Sequence, residues 1–298
     1  MYFATFRYNE EEKFGVLSKD QKNIIPLQQI FDQLGVIAPK TLKDFIEQSD
    51  DILIKDIKKI LKTHNFECIP LENVKLCAPI PYPRRNLICL GKNYLDHAKE
   101  IIGLPGANDE IPKFPIYFTK IADPAIGDGD IIKNHAEITD KIDYEVELAI
   151  IIGKDGINIK KEEVEEYIFG YTIVNDVSAR NIQRKHEQWF RGKSLETFCP
   201  MGPFIVHKSE IPFPVELDIQ CRINGELRQN SNTKNLIFDI PYIISDLSKG
   251  TYLRAGDIIL TGTPSGVGLG FKPFKFLKSG DVIECYIEKI GTLTNKVE

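Results

Sequence analysis

Two glutamates alternate with apolar residues in the segment Asp143–Ile152. Such a run is typical of a β-strand, in which Glu145 and Glu147, two positions apart, lie on the same face. Neighbouring carboxylates raise each other's pKa, so a partly buried pair requires a compensating cation such as a metal ion. Taken alone, the pattern is more often a solvent-exposed strand face.

A third acid, Asp176, ends the apolar run that begins at Gly170. A buried aspartate needs a partner, although an aspartate here could also cap the following turn or helix. Together with Glu145 and Glu147, Asp176 predicts a site of three oxygen ligands, which favours Mg²⁺ or Mn²⁺ over zinc. A divalent ion of this kind can bind a bidentate 2-oxo acid and withdraw electrons from its carbonyl.

A polar cluster upstream contains His97 and Glu100. If a helix begins nearby, residues three positions apart share one face, and the carboxylate can orient the imidazole. This arrangement is that of a general base with its orienting partner. An exposed helical ion pair explains the same spacing without any chemistry.

Several polar residues downstream are suited to hold a substrate. Arg180 and Gln183, three positions apart, could donate to a carboxylate, and Lys193 adds a cation in a polar loop. Thr263 belongs to a glycine-rich segment, 261–270, that offers hydroxyls and backbone N–H groups. Exposed cations and simple turns are the alternative explanations. The glycine spacing fits neither a nucleophile elbow nor a dinucleotide-binding loop, which disfavours a serine hydrolase and an NAD enzyme.

The elements that must position these residues fall into two groups. Residues 1–75 predict a small N-terminal unit, with strands over 2–8, 13–17 and 23–27, a helix that opens at Thr41 with a capping box, and an apolar stripe from Ile52 to Leu61. A proline-rich connector leads to residues 76–298, where strand patterns dominate and helices are predicted over 160–169 and 239–249. This distribution predicts an α+β fold.

Composition excludes other classes. The 298 residues carry 38 basic and 43 acidic side chains, a net charge of −5, with no basic cluster suited to nucleic acid. Apolar runs are too short to span a membrane, and the N-terminus lacks the features of a signal peptide, so we expect a cytoplasmic protein. The six cysteines form no CxxC pair and are expected to be reduced and mostly buried.

These motifs, in this order, resemble the fumarylacetoacetate hydrolase family, specifically its bacterial branch with a small α/β unit before the catalytic domain. The resemblance covers nearly the whole chain and rests on the segments Gly91–His97, Asp143–Ala149, Gly170–Arg180, Gly192–Ser194 and Thr261–Gly268. It implies a mixed β-roll catalytic domain, a homodimer, and a Mg²⁺ or Mn²⁺ ion held by Glu145, Glu147 and Asp176.

The resemblance also implies roles for the remaining candidates. His97 and Glu100 would form a catalytic dyad on a lid that extends through Gly103 to Pro112. The substrate, a small 2-oxo acid, would be surrounded by Arg180, Gln183, Lys193 and Thr263.

Membership of the family leaves the reaction open. In acylpyruvate hydrolysis, the dyad would activate water and Lys193 would stabilise the oxyanion. Oxaloacetate decarboxylation needs no attacking water, and an isomerase of 2-hydroxyhepta-2,4-diene-1,7-dioate would move protons without cleaving a C–C bond. A noncatalytic protein that binds a partner is the alternative from another class.

Overall fold

The computed structural model describes residues 1–102 and 111–298. Its strands are β1 (Tyr2–Tyr8), β2 (Glu11–Leu17), β3 (Asn23–Pro26), β4 (Ile69–Pro70), β5 (Lys75–Leu76), β6 (Leu87–Gly91), β7 (Ile116–Lys120), β8 (Ile131–Ile132), β9 (Ile142–Asp143), β10 (Val146–Ile152), β11 (Ile168–Asn175), β12 (Ser178–Ala179), β13 (Met201–His207), β14 (Asp218–Ile223), β15 (Glu226–Asn232), β16 (Ile258–Leu260), β17 (Val282–Ile287) and β18 (Gly291–Val297). Its α-helices are α1 (Leu27–Leu34), α2 (Leu42–Gln48), α3 (Asp51–Thr63), α4 (Leu95–Glu100), α5 (Val164–Tyr167), α6 (Arg180–Lys185), α7 (Phe190–Lys193) and α8 (Ile240–Leu247).

Two predicted helix starts are confirmed by their caps. The Thr41 side chain accepts the N–H of Asp44, whose carboxylate accepts the N–H of Thr41, so α2 begins with a capping box. Asp239 caps α8 by accepting the N–H of Tyr242. The helix predicted over 160–169 is wrong in its extent, because α5 ends at Tyr167 and β11 already begins at Ile168.

The strands form a mixed sheet system, which confirms the predicted α+β class. An eleven-stranded sheet has the order β4-β3-β2-β1-β13-β11-β10-β16-β6-β7, with β5 also paired to β1. A five-stranded sheet has the order β15-β14-β17-β18-β8, and β9 pairs with β12. β16 runs parallel to β6, whereas β10 and β11 are antiparallel.

The large sheet continues from the N-terminal strands into the rest of the chain. Tyr2 and Phe3 on β1 pair with Val206 and Ile205 on β13. Residues 1–75 and residues 76–298 thus share one hydrogen-bonded sheet. The domain boundary at residue 75 stays a prediction.

Strand β10 separates two apolar cores. Leu148 and Ile150 face a core shared with the five-stranded sheet, whereas Ala149 and Ile151 face a core shared with α1, α2 and α3. This alternation explains why every residue of β10 is buried, and it places Glu147 on the same face as Ala149.

Two further observations bear on the predicted class of protein. No α-helix within residues 1–102 and 111–298 is both long and apolar enough to cross a membrane. All six cysteines are free thiols, and four of them are buried, as predicted: Cys89, Cys199, Cys221 and Cys285.

Candidate active site

Three carboxylates converge where β10 and β11 lie side by side. Val146 pairs with Asn175, so Glu145 and Glu147 flank the point at which β11 gives way to Asp176. The backbone N–H of Asp176 donates to the carbonyl of Glu145 over 2.8 Å. One oxygen from each of the three acids lies within 4.8 Å of the others, and all three side chains are buried. The solvent-exposed strand face is thereby excluded.

Two lysines contact these acids. Lys193 Nζ lies 2.8 Å from Glu145 Oε2 and 2.5 Å from Asp176 Oδ2. Lys120 Nζ lies 2.8 Å from Asp176 Oδ1, and it also donates to the backbone carbonyls of Val177 and Lys193. Lys120 is 0% exposed, and sequence reasoning missed it. The only signal in the sequence was a lysine at the end of a largely apolar strand.

The cations neutralise this cluster unevenly. Burial alone would raise the pKa of Glu145, but Lys193 and Arg180 outweigh burial, so the pKa of Glu145 is below its usual value. The pKa of Glu147 is well above its usual value because of burial and the charges of Asp176 and Glu145. Three hard oxygen donors, one of them poorly compensated, fit a divalent cation such as Mg²⁺ or Mn²⁺.

Arg180 connects this cluster to Gln183. Its Nη2 lies 2.6 Å from Glu145 Oε1, and its Nε donates to Asp143 Oδ2 over 2.8 Å. Its Nη1 donates to Gln183 Oε1 over 3.1 Å. Because a guanidinium only donates, this contact orients the Gln183 amide with Oε1 toward Arg180. Asp143, which was not among the predicted site residues, is fully buried.

The predicted pair on α4 forms as expected. His97 Nδ1 lies 3.1 Å from Glu100 Oε2, and Glu100 Oε1 accepts the backbone N–H of Gly266 over 2.8 Å. His97 is only 6% exposed, so the pair is not a solvent-exposed ion pair.

A cavity of about 360 Å³ joins these groups. Thr263 lines it, but its hydroxyl donates to the carbonyl of Val146 and accepts from Gln229 Nε2. Aromatic rings also line the cavity: the Trp189 and Phe118 rings meet edge to face at 5.1 Å, and Lys193 Nζ lies over the Phe118 ring. The site therefore combines charged and aromatic groups in one cavity.

Most predicted site residues meet at this cavity. Its lining includes His97, Glu145, Glu147, Arg180, Gln183, Lys193 and Thr263. Glu100 and Asp176 contact lining residues directly. Of the predicted lid, residues 103–110 lie outside the described part of the chain. Lys120, Asp143 and Trp189 were missed because nothing in their local sequence reveals a distant partner.

This geometry agrees with a comparison against known protein families. A family model described as fumarylacetoacetate hydrolase C-terminal matches residues 86–298. The chain belongs to the fumarylacetoacetate hydrolase family. Enzymes of this family bind divalent metals.

Relatives extend the likeness to the whole chain. The chain is 47% identical over 294 residues to oxaloacetate tautomerase YisK of Bacillus subtilis, covering 97% of this chain and 94% of the relative. It is 38% identical to the solved fumarylacetoacetate hydrolase of Exiguobacterium antarcticum, with a TM-score of 0.83 and coverage of 100% and 99%. A maleylpyruvate hydrolase from Sphingobium sp. SYK-6, solved with manganese(II) and pyruvate, is 28% identical with a TM-score of 0.77 and coverage of 100% and 98%.

Proposed function

We propose that this protein interconverts the enol and keto forms of a small 2-oxo dicarboxylic acid such as oxaloacetate, with a divalent ion held by Glu145, Glu147 and Asp176. The observation that carries the proposal is the convergence of three buried carboxylates beside a cavity that also contains His97. The similarity to a tautomerase supports it. A bound Mg²⁺ or Mn²⁺ ion would polarise the 2-oxo group and acidify the adjacent C–H bond.

In this proposal, His97 moves the proton. It takes the proton from C3 of the keto form and delivers it to the 2-oxygen of the resulting enolate, which gives the enol. In the reverse direction it takes the proton of the 2-hydroxyl and delivers it to C3, while Glu100 orients its ring and stabilises the imidazolium. Lys193 supplies positive charge near the oxygen that becomes negative when the C3 proton leaves. These groups suffice for tautomerisation because no bond between carbon atoms has to break.

The polar groups beside the acids are also suited to a second carboxylate. With Oε1 turned toward Arg180, the Gln183 amide can present its Nε2 hydrogens to the substrate. Arg180 contributes positive charge and fixes this orientation, and Thr263 borders the same space. A dicarboxylate therefore fits the charge distribution better than a 2-oxo acid with an apolar tail.

Cleavage of a C–C bond is the second candidate, favoured by the likeness to a maleylpyruvate hydrolase. Acylpyruvate hydrolysis would use His97 and Glu100 to activate water, with Lys193 stabilising the oxyanion. Oxaloacetate decarboxylation would use the same electron-withdrawing site without water.

Isomerisation of 2-hydroxyhepta-2,4-diene-1,7-dioate would use the dyad for proton transfer alone.

One assay separates these reactions. Purified protein with Mg²⁺ or Mn²⁺ receives enol-oxaloacetate, and loss of enol absorbance is followed beside a coupled assay for pyruvate. We expect enol loss to be accelerated at least about 100-fold over buffer containing the same ion, without pyruvate release. Pyruvate from oxaloacetate would indicate decarboxylation instead, and pyruvate from fumarylpyruvate or acetylpyruvate would indicate hydrolysis.

Matched variants test the assignment of the dyad. His97→Ala should abolish turnover and retain Mn²⁺ binding, whereas His64→Ala, which changes an exposed histidine on the N-terminal segment, should leave turnover unchanged. Inactivity of the wild-type protein on oxaloacetate, both acylpyruvates and the dienol dioate would remove the enzymatic assignment and favour a noncatalytic role. The proposed homodimer is tested separately by light scattering.

A further inference from the structure

The segment Gly266–Gly270, here named the glycine latch, lies between two carboxylates. The N–H of Gly266 donates to Glu100 Oε1 over 2.8 Å. The N–H groups of Gly268 and Leu269 donate to the two oxygens of Asp143 over 2.6 and 3.0 Å. The latch therefore binds one acid from α4 and one acid that precedes β10.

Alternating glycines make these contacts possible. A Cβ atom on Gly270 would lie 2.0 Å from Glu100 Oε1, and one on Gly268 would lie 2.7 Å from Asp143 Oδ1. Gly266 has φ +99°, in the left-handed region, and its Cβ would lie 1.8 Å from the carbonyl oxygen of Arg228. Each glycine in the repeat thus leaves space that a neighbouring oxygen occupies.

Both carboxylates contact residues of the active site. Glu100 contacts His97 through its second oxygen, and Asp143 contacts Arg180, which pairs with Glu145. The Asp143 carboxylate accepts four N–H groups: those of Tyr144, Gly268 and Leu269, and the Nε–H of Arg180. A carboxylate with four donors forms a rigid anchor because charge-assisted hydrogen bonds are the strong ones.

We propose that the glycine latch, anchored by Asp143, positions the His97–Glu100 dyad relative to the metal-site carboxylates. Asp143 and Gly270 are positioning residues: they act through Glu100 and Arg180. The importance of the dyad for turnover rests on the proposed function, whereas the docking of α4 onto the latch does not.

Gly270→Ala is the most selective probe. The backbone of Gly270 lies outside the left-handed region, so alanine meets Glu100 without straining the main chain. We expect kcat to fall about tenfold or more, with KM and Mn²⁺ affinity changed less than about threefold. Ser279→Ala, an alanine substitution at an exposed position outside the latch, should have no effect on kcat.

A double-mutant cycle decides whether the effect passes through Glu100. In a Glu100→Ala background, Gly270→Ala should change kcat less than about twofold, because the Glu100 carboxylate that the added methyl group would displace is absent. An equal loss of kcat in both backgrounds would overturn the proposal. Asp143→Asn provides a second variant, since its amide NH₂ would face N–H donors, and it should lower kcat in the wild-type background more than in the Glu100→Ala background.

Hydrogen exchange tests docking without turnover. Amides of residues 95–101 should exchange faster in Gly270→Ala than in wild type, and equally fast in Glu100→Ala and the double variant. Unchanged exchange in Gly270→Ala would refute the latch even if kcat fell. If the wild-type protein turns over none of the substrates, the proposed function fails and exchange alone decides the latch.

Discussion

Replacing Lys120 with methionine removes a charge from the interior while retaining most of the aliphatic stem. The Lys120 ammonium is 0% exposed, lies 2.8 Å from Asp176 Oδ1, and donates to two backbone carbonyls. Breaking a buried ion pair from one side costs about 3–5 kcal/mol. Here the buried Asp176 would keep only its contact with Lys193, and the two carbonyls would lose their donor. We expect the free energy of unfolding of the metal-free protein to fall by this amount. At roughly 2 °C per kcal/mol, Tm would fall by about 6–10 °C.

Urea unfolding in the presence of a chelator, with the matched surface variant Lys62→Met as control, measures this loss. Adding Mn²⁺ should recover part of it, since a divalent ion beside Asp176 replaces the missing positive charge. A Lys120→Met protein within about 0.5 kcal/mol of wild type would show that the pair with Asp176 contributes nothing to folding, and would refute the reasoning.

Three further predictions concern other parts of the molecule. Glu147→Gln should abolish Mn²⁺ binding in calorimetry yet raise the metal-free unfolding free energy at pH 7, because an acid whose folded pKa is raised opposes folding once the pH exceeds its unfolded pKa. Burial lowers the pKa of His207 to about 4, so stability should fall as pH drops from 6.5 toward 4, by up to about 3 kcal/mol. His207→Gln should lack this component in urea titrations across that range, and a slope identical to wild type would contradict the assignment. Trp189 is the single tryptophan of the chain and lines the cavity, so oxalate with Mn²⁺ should change the intrinsic fluorescence, whereas Glu147→Gln should show no change.

Local patterns in the sequence predicted much of the fold. Strand periodicity located β10 and β11, and the Thr41 capping box located α2, because these signals arise within a few neighbouring residues. The same reasoning extended a helix through Ile168, where pairing with Ile152 instead favours a strand. The union of β1 with β13 was not foreseen, since it joins residues about 200 positions apart.

Residue type and spacing predicted those contacts of the site that join residues close together in the sequence. Glu145 and Glu147 share a strand face and His97 contacts Glu100 across one helical turn, so period alone predicts both pairs. Lys120 and Asp143 act through partners that only the folded chain brings near. Their burial cannot be deduced from flanking residues, because it depends on how separate strands pack.

Strand β1 also covers part of an edge of strand β13. A protein trimmed to residues 76–298 would lose the pairing of Tyr2 and Phe3 with Val206 and Ile205. It would therefore expose part of one edge of β13, whose other edge is hydrogen-bonded to β11. Open strand edges recruit other chains, so such a fragment would be prone to self-association. The first eight residues thus protect the larger part of the chain, which holds the acids, against aggregation.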